Sequence, residues 1–151
     1  MDRFERFSYA ISVISRCWHR LAAEEMAKYD LKSSHATYLT TLSRYPDGLT
    51  AAQLCEVCGK DKSDVSRMMA ILTKTGFVKK NGRNDAGNLY GGTYVLTDTG
   101  LDAAEKVKRR AAQVVEIAGK DLSDENRSML YEMLAQISDN LVQLCKDGIP
   151  E

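Results

Sequence analysis

No run of about 18 apolar residues occurs anywhere in this 151-residue chain, so no segment reads as a membrane-spanning helix. The opening residues, Met1-Asp2-Arg3-Phe4-Glu5-Arg6, mix acids with bases and lead into no uninterrupted apolar stretch. That is not the pattern of a secretory leader. Proline is almost absent, with only Pro46 and Pro150, so long helices are permitted through most of the chain. Cysteine is sparse and scattered: Cys17, Cys55, Cys58 and Cys145. Without an export signal these read as reduced thiols in a cytoplasmic protein. The only histidines are His19 and His35, and there is no Gly-rich phosphate loop, no HExxH and no Ser/His/Asp signature. The chain is therefore not read as an enzyme, and no cofactor or metal is expected. Excess charge is missing too, since 21 basic side chains balance 21 acidic ones. This excludes a protein coated in positive charge but leaves room for a local basic patch.

What is present is ordinary globular composition, 44% hydrophobic and 28% charged, in a length that suits one domain over residues 1–151. Such a chain buries enough surface to need no disulfide or metal staple. Phe4, Phe7, Ile11, Ile14, Trp18 and Leu21 recur at alternating spacings of three and four, the seam of a long helix that packs on another helix. A second helix is predicted from about Ser34 to Tyr45, capped by Ser33 or Ser34. Pro46-Asp47-Gly48 is a turn. Thr50 with Gln53 forms a capping box for a short helix ending before Gly59. Asp61 caps the next helix, whose buried side is Val65, Met68, Met69 and Leu72 and which Gly76 ends. The period then changes. Residues 77–80 and 93–97 read as two short strands around a polar, glycine-rich tip. Helices resume from Asp98 to a break at Gly119 and again after Ser123, with Leu130, Met133, Leu134, Ile137, Leu141 and Leu144 along one face. The methionines, Met129 and Met133 included, read as core.

The segment from Leu49 to Thr97 carries the functional signal. Two helices meet across a glycine turn, the helix-turn-helix layout in which the second helix is offered to the DNA major groove. Leu54, Cys58, Val65 and Met68 fall where the pair would press together. The second helix presents Lys62, Ser63, Ser66, Arg67, Ala70 and Lys74, and several of these are donors suited to base edges and phosphates. The hairpin adds Lys79, Lys80, Arg83, Asn84 and Asn88. Net charge is +3 over residues 50–97, +1 over residues 1–49 and −4 over residues 98–151.

Those residues resemble the MarR family of winged-helix transcriptional regulators. The resemblance lies in Leu49-Thr50-Ala51-Ala52-Gln53-Leu54-Cys55, in Asp61 to Arg67 and in Leu72 to Lys80. It continues in Leu96-Thr97-Asp98-Thr99-Gly100, at the close of the wing, and in Leu122-Ser123-Asp124-Glu125. It implies a mainly α fold with a small β hairpin wing: a winged helix-turn-helix lobe over residues 31–97, flanked by dimerisation helices at 1–30 and 98–151. It implies a homodimer reading a pseudo-palindrome on double-stranded DNA as a ligand-responsive repressor. The expected DNA contacts are Lys62, Ser63, Ser66, Arg67, Lys74, Lys80, Arg83 and Asn84. The family binds small aromatic effectors in a cleft, and Trp18, His35 and Tyr38 are the candidates here. A helix-start role is the competing reading of His35. The family's wing usually carries Asp-x-Arg near its tip; here the order is Arg83-Asn84-Asp85.

Two other functions compete. Low net charge and the altered wing suit a winged-helix module that binds protein instead of DNA. Cys17, on the first helix, suits a thiol redox sensor of the kind some relatives carry. Cys55-x-x-Cys58 reads as packing, since a structural zinc site wants four ligands and no second pair lies nearby.

Overall fold

The structure, a computed structural model, describes residues 2–82 and 91–150. Helix α1 (Arg3–Ala27) starts at a reciprocal cap: Asp2 accepts from the Glu5 backbone N–H while Glu5 accepts from that of Asp2. Its chain leaves through Asp30 at φ 57°, a left-handed conformation that aspartate tolerates better than most residues. There follow α2 (Ser33–Leu42), α3 (Ala51–Cys58), α4 (Lys62–Lys74), β1 (Val78–Asn81), β2 (Thr93–Leu96), α5 (Asp98–Ala118) and α6 (Asp124–Asp147). The predicted mainly helical fold with one hairpin is what forms. The strands are antiparallel, with Val78 opposite Leu96 and Lys80 opposite Tyr94. Leu49 adds a bridge to Tyr94, closing both backbone hydrogen bonds at 3.1 and 2.8 Å.

The chain divides into two compact units, residues 1–112 and 113–151, with the boundary inside α5. In the first unit, Met26, Tyr38, Leu39, Leu42, Leu54, Val65, Met69 and Leu72 form the core, with Phe77, Val78 and the α5 residues Ala103, Ala104 and Val107. The end of α1 and the start of α5 thus belong to the same core as the helix-turn-helix. Only the last turns of α1 are buried, at Glu25 and Met26. Its seam stays open, with Phe4 73% and Ile14 63% exposed.

In the second unit, Ser123 caps α6 by accepting from the Asn126 N–H. Arg127 reaches back to the end of α5, pairing with Glu116 at 2.7 Å and donating to the Gly119 carbonyl at 2.8 Å. That satisfies a helix-end carbonyl and adds a cation where the helix dipole favours one. No residue of α6 is buried. Met129 and Met133, expected in the core, are therefore surface residues on an exposed apolar stripe with Leu130, Leu134, Leu141 and Leu144.

The second helix departs from the expected boundaries. It starts at Ser33 and ends at Leu42, and neither serine caps it. The imidazole of His35 does so, accepting the Lys32 backbone N–H on Nδ1 at 3.0 Å. Each strand is also shifted slightly: Phe77 precedes β1, Asn81 extends it, and Thr97 lies beyond β2.

Candidate nucleic-acid interface

The turn between α3 and α4 follows from local chemistry. Thr50 and Gln53 cap α3 reciprocally, at 2.9 and 3.2 Å. Gly59 ends it at φ 61°, a conformation a residue with a Cβ pays to adopt. Asp61 then starts α4 by accepting the Asp64 N–H at 2.8 Å. Leu54, Val65, Met69 and Leu72 are buried, so the two helices press apolar sides together. Met68 is only half-buried and lies 3.6 Å from the Ser34 hydroxyl, which ties α4 to α2.

Burying that side turns the other outward. Lys62, Ser63, Ser66, Arg67, Ala70 and Lys74 are all exposed. These are the residues expected to face DNA, and helical periodicity sets them on one face. Lys80 holds a different position: it sits at the base of the wing, with its ammonium 5.1 Å from the centre of the Tyr94 ring across the strand pair. That cation–π contact fixes a charge beside the helix-turn-helix. Arg83 and Asn84, with the altered wing tip, lie outside the described residues.

Behind this face, Tyr38 is fully buried and its phenol donates a 2.6 Å hydrogen bond to Asp64 Oδ2. Burial, reinforced by the adjacent carboxylate, drives the phenol's pKa well above its ordinary value of 10.0, so it remains a donor. The other carboxylate oxygen, Oδ1, lies 3.5 Å from the Arg67 guanidinium. Asp64 as a link between core and face was not foreseen. An acid three residues before an arginine is visible in sequence, but its buried partner on α2 is 26 residues away.

The three effector candidates do not share an environment. His35 and Tyr38 are core residues and Trp18 is exposed on α1. His35 Nδ1 lies near both the Lys32 backbone nitrogen, at 3.0 Å, and the Lys32 carbonyl oxygen, at 3.2 Å, while Nε2 is buried with no partner among the described residues. Burial is the largest influence holding the ring below its ordinary value of 6.5. Cys55 and Cys58 pack against the core, and burial pushes the Cys58 thiol pKa up, away from a reactive thiolate. Cys17 and Cys145 are exposed thiols.

A capped helix pair with one polar, partly basic face, followed by an antiparallel hairpin, defines a winged helix-turn-helix. Residues 29–86, from the approach to α2 into the wing, match the model of the MarR family, in line with the resemblance. Solved structures agree on the fold. A MarR transcriptional regulator from Methanosarcina mazei Go1 is 22% identical with a TM-score of 0.80, covering 95% of this chain and 94% of that one. A putative MarR family regulator from Listeria monocytogenes, solved with a 26mer DNA, is 20% identical with a TM-score of 0.81, covering 100% and 99%. MepR of S. aureus, solved with DNA, is 18% identical with a TM-score of 0.76, covering 89% and 97%. No curated protein matches the sequence.

Proposed function

We propose that the protein is a sequence-specific DNA-binding transcriptional regulator. It acts in the cytoplasm as a homodimer on a pseudo-palindromic operator, as a repressor relieved by a small aromatic effector. The observation that carries this reading is the face of α4, where Lys62, Ser63, Ser66, Arg67 and Lys74 are exposed together. Ser63, Ser66 and Arg67 read base edges in the major groove, and Lys62, Lys74 and Lys80 hold phosphates. Arg83 and Asn84 are the remaining candidate contacts, for phosphate or the minor groove.

The dimer is supported by apolar surface. Six large apolar side chains of α1, from Phe4 to Trp18, are exposed, as are eight of α6. An exposed apolar stripe on each of two helices is uncommon on a monomer and marks surface that another chain covers. Residues 1–30 and 98–151 supply the dimerisation helices in this reading. Two-fold symmetry then sets half-sites about one helical turn apart. The aromatic effector rests on the family resemblance. It would act by changing the spacing of the paired recognition helices, so that effector and DNA affinities are coupled.

Selection of bound duplexes from a random pool tests the proposal. A two-fold-symmetric motif, bound with an affinity that falls steeply with added salt as counterions are released, is the expected result. Recovery of no motif, with association insensitive to salt, would instead favour a protein-binding module.

A further inference from the structure

An acid on a surface offered to DNA calls for explanation, because a carboxylate repels the phosphate backbone. The helix dipole does not require Asp64, since Asp61 already caps α4. Asp64 is instead built into a chain of contacts that runs outward from the core. The Tyr38 phenol occupies Oδ2 at 2.6 Å, and Oδ1 faces the Arg67 guanidinium at 3.5 Å, one helical turn along. Arg67 is 69% exposed. An exposed pair three residues apart normally orders little, because two long side chains must both lose their freedom. Here the acid's rotamer is already set by a buried donor, so only the arginine has to be aligned. The guanidinium has five N–H donors in a rigid fork, so a contact on one edge leaves another edge free to face outward.

We propose that Asp64, held by Tyr38, is a positioning residue for Arg67 and determines specificity at the base pair that Arg67 reads. The base this chemistry favours is guanine, whose O6 and N7 accept a bidentate guanidinium. The inference rests on the DNA-reading function proposed above. An arginine swinging freely contacts phosphates and bases alike, whereas one aimed by a fixed carboxylate discriminates.

The test uses the full-length protein and the DNA that it selects. Affinity is measured for every single-base-pair variant of that site with the wild type, Asp64→Asn, Tyr38→Phe, Arg67→Ala and the Asp64→Asn/Arg67→Ala double variant. Arg67→Ala should flatten discrimination at one base pair in each half-site by about 5- to 150-fold. Asp64→Asn and Tyr38→Phe should each flatten it at that same pair by about twofold or more, leaving the others unchanged. In the Arg67→Ala background, Asp64→Asn should alter nothing there. A purely structural role for Asp64 would scale all affinities by one factor, and a purely repulsive one would tighten binding everywhere. Either outcome overturns the inference while leaving the DNA-reading function intact, as does an unchanged profile. A wild-type protein that selects no DNA overturns both.

Discussion

Gly100, in the first turn of α5, lies so close to the Phe77 carbonyl that a Cβ there would overlap the oxygen. Thr97 makes this approach possible. Its hydroxyl donates to the Gly76 carbonyl at 2.6 Å and accepts the Gly100 N–H at 3.1 Å, so one side chain joins the end of α4 to the start of α5. The Leu96-Thr97-Asp98-Thr99-Gly100 sequence thus sets how the wing leads into the long helix. Gly100→Ala should cost about 3 kcal/mol or more, because the obstacle is backbone that cannot rotate away. Gly59→Ala meets nothing within 4 Å and should cost only the left-handed penalty, about 1–2 kcal/mol. Chemical denaturation of both variants checks the order; an equal or smaller loss at Gly100 would contradict the contact.

Tyr38→Phe removes only the phenol oxygen, leaving the ring to fill its place in the core. It takes away a charge-assisted hydrogen bond, which sets the loss at about 1.5–3 kcal/mol. Denaturation midpoints read this, and Asp64→Asn, which keeps an acceptor for the phenol, should lose less.

His35 makes stability depend on pH. Burial, with the Lys32 charge acting in the same direction, holds the folded ring below its ordinary 6.5; the backbone of Lys32 and the charge of Asp64 act the other way. The unfolded chain therefore takes up a proton at higher pH than the folded one. This contribution to stability is complete above 6.5, falls as pH drops from there toward the lowered folded value, and levels off below it. The stability difference between wild type and His35→Asn, measured from about pH 8 to 5, should change sign or shrink over that window. A constant difference would exclude the buried neutral ring.

The exposed face of α4 predicts two kinds of loss. Arg67→Ala should cost about 1–3 kcal/mol against the selected site and little against random DNA. Lys62→Ala should weaken both alike and lower the salt slope by about one. Titrations at several salt concentrations separate the two behaviours, and a uniform loss for Arg67→Ala would assign it to phosphate.

The open seam of α1 predicts self-association. Ile14→Glu places a charge in the middle of apolar surface, where a partner would have to bury it unpaired. Sedimentation should show a wild-type dimer and a variant shifted toward monomer, with the same helical content. A dimer of unchanged strength would locate the interface elsewhere.

Much of this was legible because the deciding interactions are local. The caps at Thr50 with Gln53, at Asp61 and at Ser123 each join residues three apart, and the glycine stop at Gly59 is a property of one residue. The face of α4 followed from periodicity: once Val65, Met69 and Leu72 are placed inward, Lys62, Ser63, Ser66 and Arg67 must face outward. The serines expected to cap α2 do not, whereas the helix-start role read for His35 is what its imidazole takes up against the Lys32 backbone. Met129 and Met133 were misplaced because an apolar stripe looks alike whether its own chain or a second one covers it.

The sequence alone therefore determined the order of elements, most of their ends and the outward face of α4, since each depends on neighbours within about one helical turn. Only the tertiary structure decided what lies behind that face. The Tyr38–Asp64 bond, the Leu49–Tyr94 bridge and the close approach of Gly100 to Phe77 join residues far apart in the chain. Such contacts exist only once packing has brought separate elements together, and no local pattern encodes which buried donor will meet which acceptor.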